Sequence, residues 1–118
     1  MAQVSPEGYN PAVDPHRLAQ ERSLAYHRAV AIRMDRDPAI AERAMAKVRA
    51  VLAEGREVHY ARLWEALLTG PVERLREVLI AETEEARALR QSTPFAGAIE
   101  PRERWRIWKE TRERAAGR

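Results

Sequence analysis

Apolar residues recur along most of this 118-residue chain at intervals of three and four. That is the period of a helix with one buried face, and no stretch shows the strict alternation of a half-buried strand. Ile40, Ala44, Val48, Val51 and Leu52 form one such stripe. Tyr60, Leu63, Trp64, Leu67 and Leu68 form the clearest, and Val72, Leu75, Val78 and Leu79 form another beyond Thr69-Gly70-Pro71.

Local punctuation divides the pattern into elements. Asp14-Pro15 places a capping carboxylate before a proline at the first helical position and predicts a helix from about residue 15 to 36. Asp37-Pro38 repeats the signal and opens a second helix reaching about Glu54, with Gly55 as its stop. Two short helices joined by Thr69-Gly70-Pro71 follow over 58–81. Thr83 before Glu84 and Glu85 reads as the cap of a fifth helix ending near Gln91. Pro94 and Gly97 interrupt 92–99, predicting an ordered loop around Phe95, the one phenylalanine, and Glu100-Pro101 starts a last helix through about Ala115. Residues 1–13, with Pro6, Gly8 and Pro11, read as an extended arm. The fold class is therefore all-α: a compact bundle of five to six helices in a single domain over 14–118, with a short extended N-terminal arm.

Composition narrows the chemistry. The absence of cysteine excludes disulfides, thiolate metal sites and thiol nucleophiles, and fits a reducing compartment. No run approaches the roughly 18 apolar residues of a membrane span, and no secretory signal opens the sequence, so a cytoplasmic location is expected. The glycines are never closer than 15 residues to one another, which rules out a phosphate-cradling loop of the usual spacing. His16, His27 and His59 lack the spacing that puts two imidazoles on one helix face. Neither a metal nor a cofactor is implied. The net charge is only +3 and charges of both signs are interspersed, the usual reading of solvated helix faces, although the pI is near 9.8.

Three constellations carry candidate chemistry. Arg22 and His27, in Arg22-Ser23-Leu24-Ala25-Tyr26-His27, resemble over six residues the motif of the helical HEPN ribonucleases, in which His and Arg act on RNA phosphate at a dimer interface. The hairpin 58–81 has the proportions of a helix-turn-helix and would offer Arg74 and Arg76 to DNA. Its second helix has nearly balanced charge and lacks the amide and hydroxyl groups of base readers. The last helix clusters Arg102, Arg104, Arg106, Lys109, Arg112 and Arg114 around Trp105 and Trp108, which stand three residues apart. Tryptophan and arginine anchor protein interfaces, and the same residue types stack on bases and neutralise phosphates in nucleic-acid binders. Glu103, Glu110 and Glu113 dilute the positive field and favour core or interface.

Arg22-Ser23-Leu24-Ala25-Tyr26-His27, Tyr60-Ala61-Arg62-Leu63-Trp64, the stretch from Ala86 through Leu89-Arg90-Gln91-Ser92-Thr93-Pro94-Phe95-Ala96-Gly97, and Pro101-Arg102-Glu103-Arg104-Trp105 together resemble small bacterial antitoxin-like proteins of toxin–antitoxin gene pairs. The resemblance implies a protein partner, a nuclease or nucleotidyltransferase toxin, neutralised by direct binding. The alternative is a DNA-binding regulator using the hairpin 58–81, a role that antitoxins combine with neutralisation, and the sequence leaves monomer and homodimer both open. The residues expected to meet that partner are Phe95, Arg90, Trp105, Arg102 and Trp108, with Phe95 either an apolar anchor or a plug between helices five and six. The nucleic-acid alternative would use Arg74, Arg76, Arg104, Arg106, Lys109 and Arg112, and the enzymatic alternative is a ribonuclease built on Arg22 and His27.

Overall fold

The computed structural model describes residues 14–56 and 58–117, and the arm expected over 1–13 lies outside them. Six helices follow in order: α1 (Pro15–Met34), α2 (Ala39–Glu54), α3 (Val58–Thr69), α4 (Val72–Ile80), α5 (Glu84–Gln91) and α6 (Pro101–Ala116). The fold is all-α, with no strand among the described residues. The caps act where the sequence places them. Asp14 accepts from the His16 N–H at 3.1 Å, the Asp37 carboxylate from the Ala39 N–H at 3.1 Å, and Thr83 from the Ala86 N–H at 3.1 Å. Gly55 closes α2 at φ 78°, a left-handed conformation that costs glycine nothing and strains a residue with a Cβ. α1 ends at Met34, two residues before the expected stop, because the Arg33 carbonyl takes the N–H groups of both Arg36 and Asp37 in a turn.

α1 is the central element and packs against α2, α4, α5 and α6. α6 runs antiparallel to it. Leu18 is buried against Ala115, the Arg22 guanidinium donates to the Trp108 carbonyl at 3.4 Å, the Tyr26 ring meets Trp108 edge to face at 5.8 Å, and Arg33 pairs with Glu103. α2 and α3 form a second antiparallel pair, and α4 packs on both α1 and α3.

Where these layers meet, the loop 92–99 enters the core. Phe95 is 1% exposed and packs edge to face on Trp64, itself 1% exposed, at 5.8 Å between ring centres. Buried irregular backbone must have its polar groups satisfied, and Tyr26 Oη does so for the Phe95 carbonyl, donating to it at 2.7 Å. On the exposed side of the loop, Lys47 Nζ of α2 donates to the Ala96 carbonyl. The Phe95 N–H turns back to Thr93 Oγ1 at 3.1 Å. Of the two roles open to Phe95, anchor or plug, its place is the interior: the ring is surrounded by this chain and has no free surface for a partner. Phe95→Ala should therefore destabilise the fold by about 3–5 kcal/mol, read as a lowered urea midpoint; an unchanged midpoint would mean the ring is not core.

Candidate functional site

Helix α6 divides its side chains between core and solvent. Ile107, Trp108, Thr111 and Ala115 face α1, with Thr111 Oγ1 donating to the Ile107 carbonyl at 2.7 Å so that no hydroxyl is buried unpaired. Arg102, Trp105, Lys109 and Arg112 are exposed, and their spacing of three, four and three sets them in one stripe along the helix. Trp105 is 65% exposed, the largest apolar side chain left in solvent, and Lys109 Nζ lies 5.5 Å from the centre of its ring. Arg104 and Arg106 flank the stripe, Arg106 leaning towards Glu103 at 3.8 Å. The two tryptophans, expected to share a face, are divided: Trp108 is half-buried on Tyr26 and Trp105 is outside. A separation of three residues is about 60° round a helix, and the antiparallel contact with α1 runs along the Trp108 side.

The other expected partner-binding residue, Arg90, is also inside, 3% exposed. Its Nη1 donates to the carbonyls of Val78 at 2.9 Å and Ala81 at 2.7 Å, so it closes the C-terminal end of α4. The expected protein-binding set is thus not one surface. Trp105 and Arg102 lie together on α6, Trp108 backs them from the core side, and Phe95 and Arg90 belong to the interior.

The Arg22 and His27 pair is likewise structural in its contacts. His27 is 2% exposed. Its Nδ1 lies 2.7 Å from the Ser23 carbonyl, which can only accept, so the proton is assigned to Nδ1. Nε2, 2.8 Å from Thr93 Oγ1, then accepts the threonine proton, while that oxygen takes the Phe95 N–H. Both ring nitrogens are engaged, and Arg22 turns instead to the Trp108 carbonyl. The arrangement offers no free imidazole nitrogen to a substrate. Burial lowers the His27 pKa from 6.5 to about 4, the Ser23 carbonyl opposing the shift and Arg90 adding to it.

The hairpin α3–α4 forms as expected, but its cations are not equivalent. Arg76 is paired with Asp35 at the end of α1, while Arg74 is exposed between the exposed carboxylates Glu73 and Glu77. Lys109, Arg104, Arg106 and Arg112 stand apart from them on α6. Sequence reasoning passed over Arg28 and Arg87, which press electrostatically on Arg90. The spacing of Arg87 and Arg90 on α5 was visible, but the approach of α1 was not. Among the described residues no group of three His, Asp or Glu side chains gathers as metal ligands would, and no helix is long and apolar enough to cross a membrane. Comparison of the chain with protein-family models, curated proteins and solved structures finds no match.

The buried histidine makes a pH prediction. The unfolded chain takes up this proton at higher pH than the folded one, so His27 contributes its full stability above about pH 6.5. That contribution falls as pH drops towards about 4 and levels off below. The difference is on the order of 3 kcal/mol. Denaturant midpoints measured between about pH 5 and 6.5 should decline in the parent and stay flat in His27→Gln; equal slopes would show that the ring titrates freely.

Proposed function

We propose that this chain is a protein-binding module that presents the outer face of α6 to a partner with an acidic surface and an apolar recess. The observation that carries this reading is the 65% exposure of Trp105 inside the stripe of Arg102, Lys109 and Arg112. An exposed indole ringed by cations has the make-up of an interface hot spot with a polar rim, and indole burial supplies the affinity while the cations steer and orient. The opposite face of the helix is fastened to α1 by Arg22, Tyr26 and Arg33, so the stripe is held in place before binding and little ordering is required of it. The resemblance of residues 22–108 to antitoxin-like proteins narrows the proposed partner to a toxin of nuclease or nucleotidyltransferase type, masked by contact with this face.

Two features count against DNA reading by the hairpin. Arg76 is committed to Asp35, and Arg74 sits between two carboxylates. Contact of α6 with a nucleic-acid backbone is distinguishable by salt, because phosphate contacts release counterions and affinity then falls steeply and log-linearly.

The test is capture from the chain's own cells with nuclease treatment at moderate salt, followed by affinity measurement on the isolated partner. A single stoichiometric protein is expected. Trp105→Ala should weaken it roughly thirtyfold or more, equivalent to about 2 kcal/mol, with helicity and melting temperature unchanged. A partner bound equally well by Trp105→Ala would overturn the α6 assignment, and capture of nucleic acid alone from the untreated sample would replace the protein partner with DNA or RNA.

A further inference from the structure

On the other side of α6 from Trp105, an open cavity of about 740 Å³ lies between α1, α5 and the last turn of α6. That is the size of a small-molecule site. Its wall carries Arg28 from α1, Arg87 and Arg90 from α5, and Arg114 from α6. Arg114 is nine residues from Trp105, about half a turn round the helix, so this wall and the proposed partner face are separate.

None of these four arginines is held in an ion pair with a described residue. Among the described residues no carboxylate comes within 4 Å of any of the four guanidinium groups, whereas other arginines form five ion pairs of that length, Arg17–Glu21 on this wall among them. Asp14 on the same wall is engaged in capping α1, and Glu21 pairs with Arg17 at 3.3 Å. Arg90 is the deepest. Its Nη1 is held by the Val78 and Ala81 carbonyls, and its Nε is buried with no hydrogen-bond partner. A desolvated guanidinium with an unused donor, pressed by two more guanidiniums, is an unfavourable arrangement for an isolated protein. Arg87 adds repulsion and Arg28 adds a smaller amount, while the exposed Glu82 on the same wall offsets part of it. An oxyanion set among these groups would remove the repulsion and supply acceptors. Phosphate is the group whose geometry guanidinium forks match in pairs.

We propose that this cavity binds a phosphate monoester, held by Arg28, Arg87 and Arg90. The volume exceeds what one phosphate occupies, and Leu24, Ala25 and Gln20 on the α1 wall give the rest of the ligand apolar and amide contacts. The phosphate belongs either to a small phosphorylated metabolite or to the phosphorylated end of a nucleic-acid strand.

The full chain is tested by calorimetry and thermal melting at matched ionic strength with three probes. These are a nucleoside 5′-monophosphate, a 5′-phosphorylated tetranucleotide and the same tetranucleotide with a 5′-hydroxyl. At least one phosphorylated probe should bind with submillimolar Kd and raise the melting temperature, while the 5′-hydroxyl strand does neither. Binding of the mononucleotide assigns the site to a small molecule, and binding of the phosphorylated strand alone assigns it to a strand end. The double variant Arg28→Gln/Arg87→Gln keeps the α4-capping Arg90. It should bind roughly tenfold or more weakly and, without ligand, melt no lower than the parent, since only repulsion has been removed. The proposal is overturned if neither phosphorylated probe binds, if the double variant binds as the parent does, or if the unliganded double variant melts several degrees lower, which would make the arginines structural.

Discussion

The loop 92–99, which sinks Pro94, Phe95 and Ile99 into the core, is the constraint on which the other elements depend. Irregular backbone in a core forfeits the internal hydrogen bonds of a helix, so each N–H and carbonyl needs a partner. Here α1 provides them: Tyr26 to the Phe95 carbonyl, and His27 to Thr93, which in turn takes the Phe95 N–H, while Lys47 of α2 reaches the Ala96 carbonyl on the exposed side. Phe95 then fills the space between Trp64 and His27, with ring centres at 5.8 and 6.5 Å. Packing and polar satisfaction are met by the same few residues, which ties α1, α2 and α3 to one point.

That point also determines where α6 begins, and so which of its faces is free. With the loop held to Tyr26 and His27, α6 returns antiparallel along α1. Trp108 settles on Tyr26 while Trp105 faces outwards. The proposed binding face is therefore a consequence of the core. The tryptophan that could be buried is buried, and the one left in solvent is framed by Arg102, Lys109 and Arg112 on a helix that cannot rotate without breaking the Arg22 and Arg33 contacts. On the opposite side, the same antiparallel pairing brings Arg114 towards Arg28, Arg87 and Arg90.

The helices were legible because their limits are local. Asp14-Pro15, Gly55 and Thr83 work through neighbours one to four residues away, and the apolar period marks each buried stripe without knowledge of what covers it. The site was less legible because its character depends on register between elements far apart in sequence. Phe95 in a Pro- and Gly-bounded segment is compatible with anchor or plug, and only the arrival of Tyr26, 69 residues earlier, decides the matter. Trp105 and Trp108 differ by 60° round one helix, too little for a period to separate. Arg90 was expected at the partner surface, yet it is 3% exposed. Its burial follows from the exposed carbonyls at the end of α4, which no pattern within α5 announces. His27 matched a catalytic motif by spacing, although its contacts are those of a core histidine.

The most direct test of this account is the state of the His27 ring, observed by nitrogen-15 NMR of the imidazole across a pH titration. The loop clamp predicts a single neutral tautomer with its proton on Nδ1, persisting to about pH 4. A ring that exchanges between tautomers and titrates near its ordinary 6.5 would contradict it. The loop would then be unclamped, the register of α6 on α1 would lose its cause, and His27 would be free for the proton chemistry that its buried position denies it.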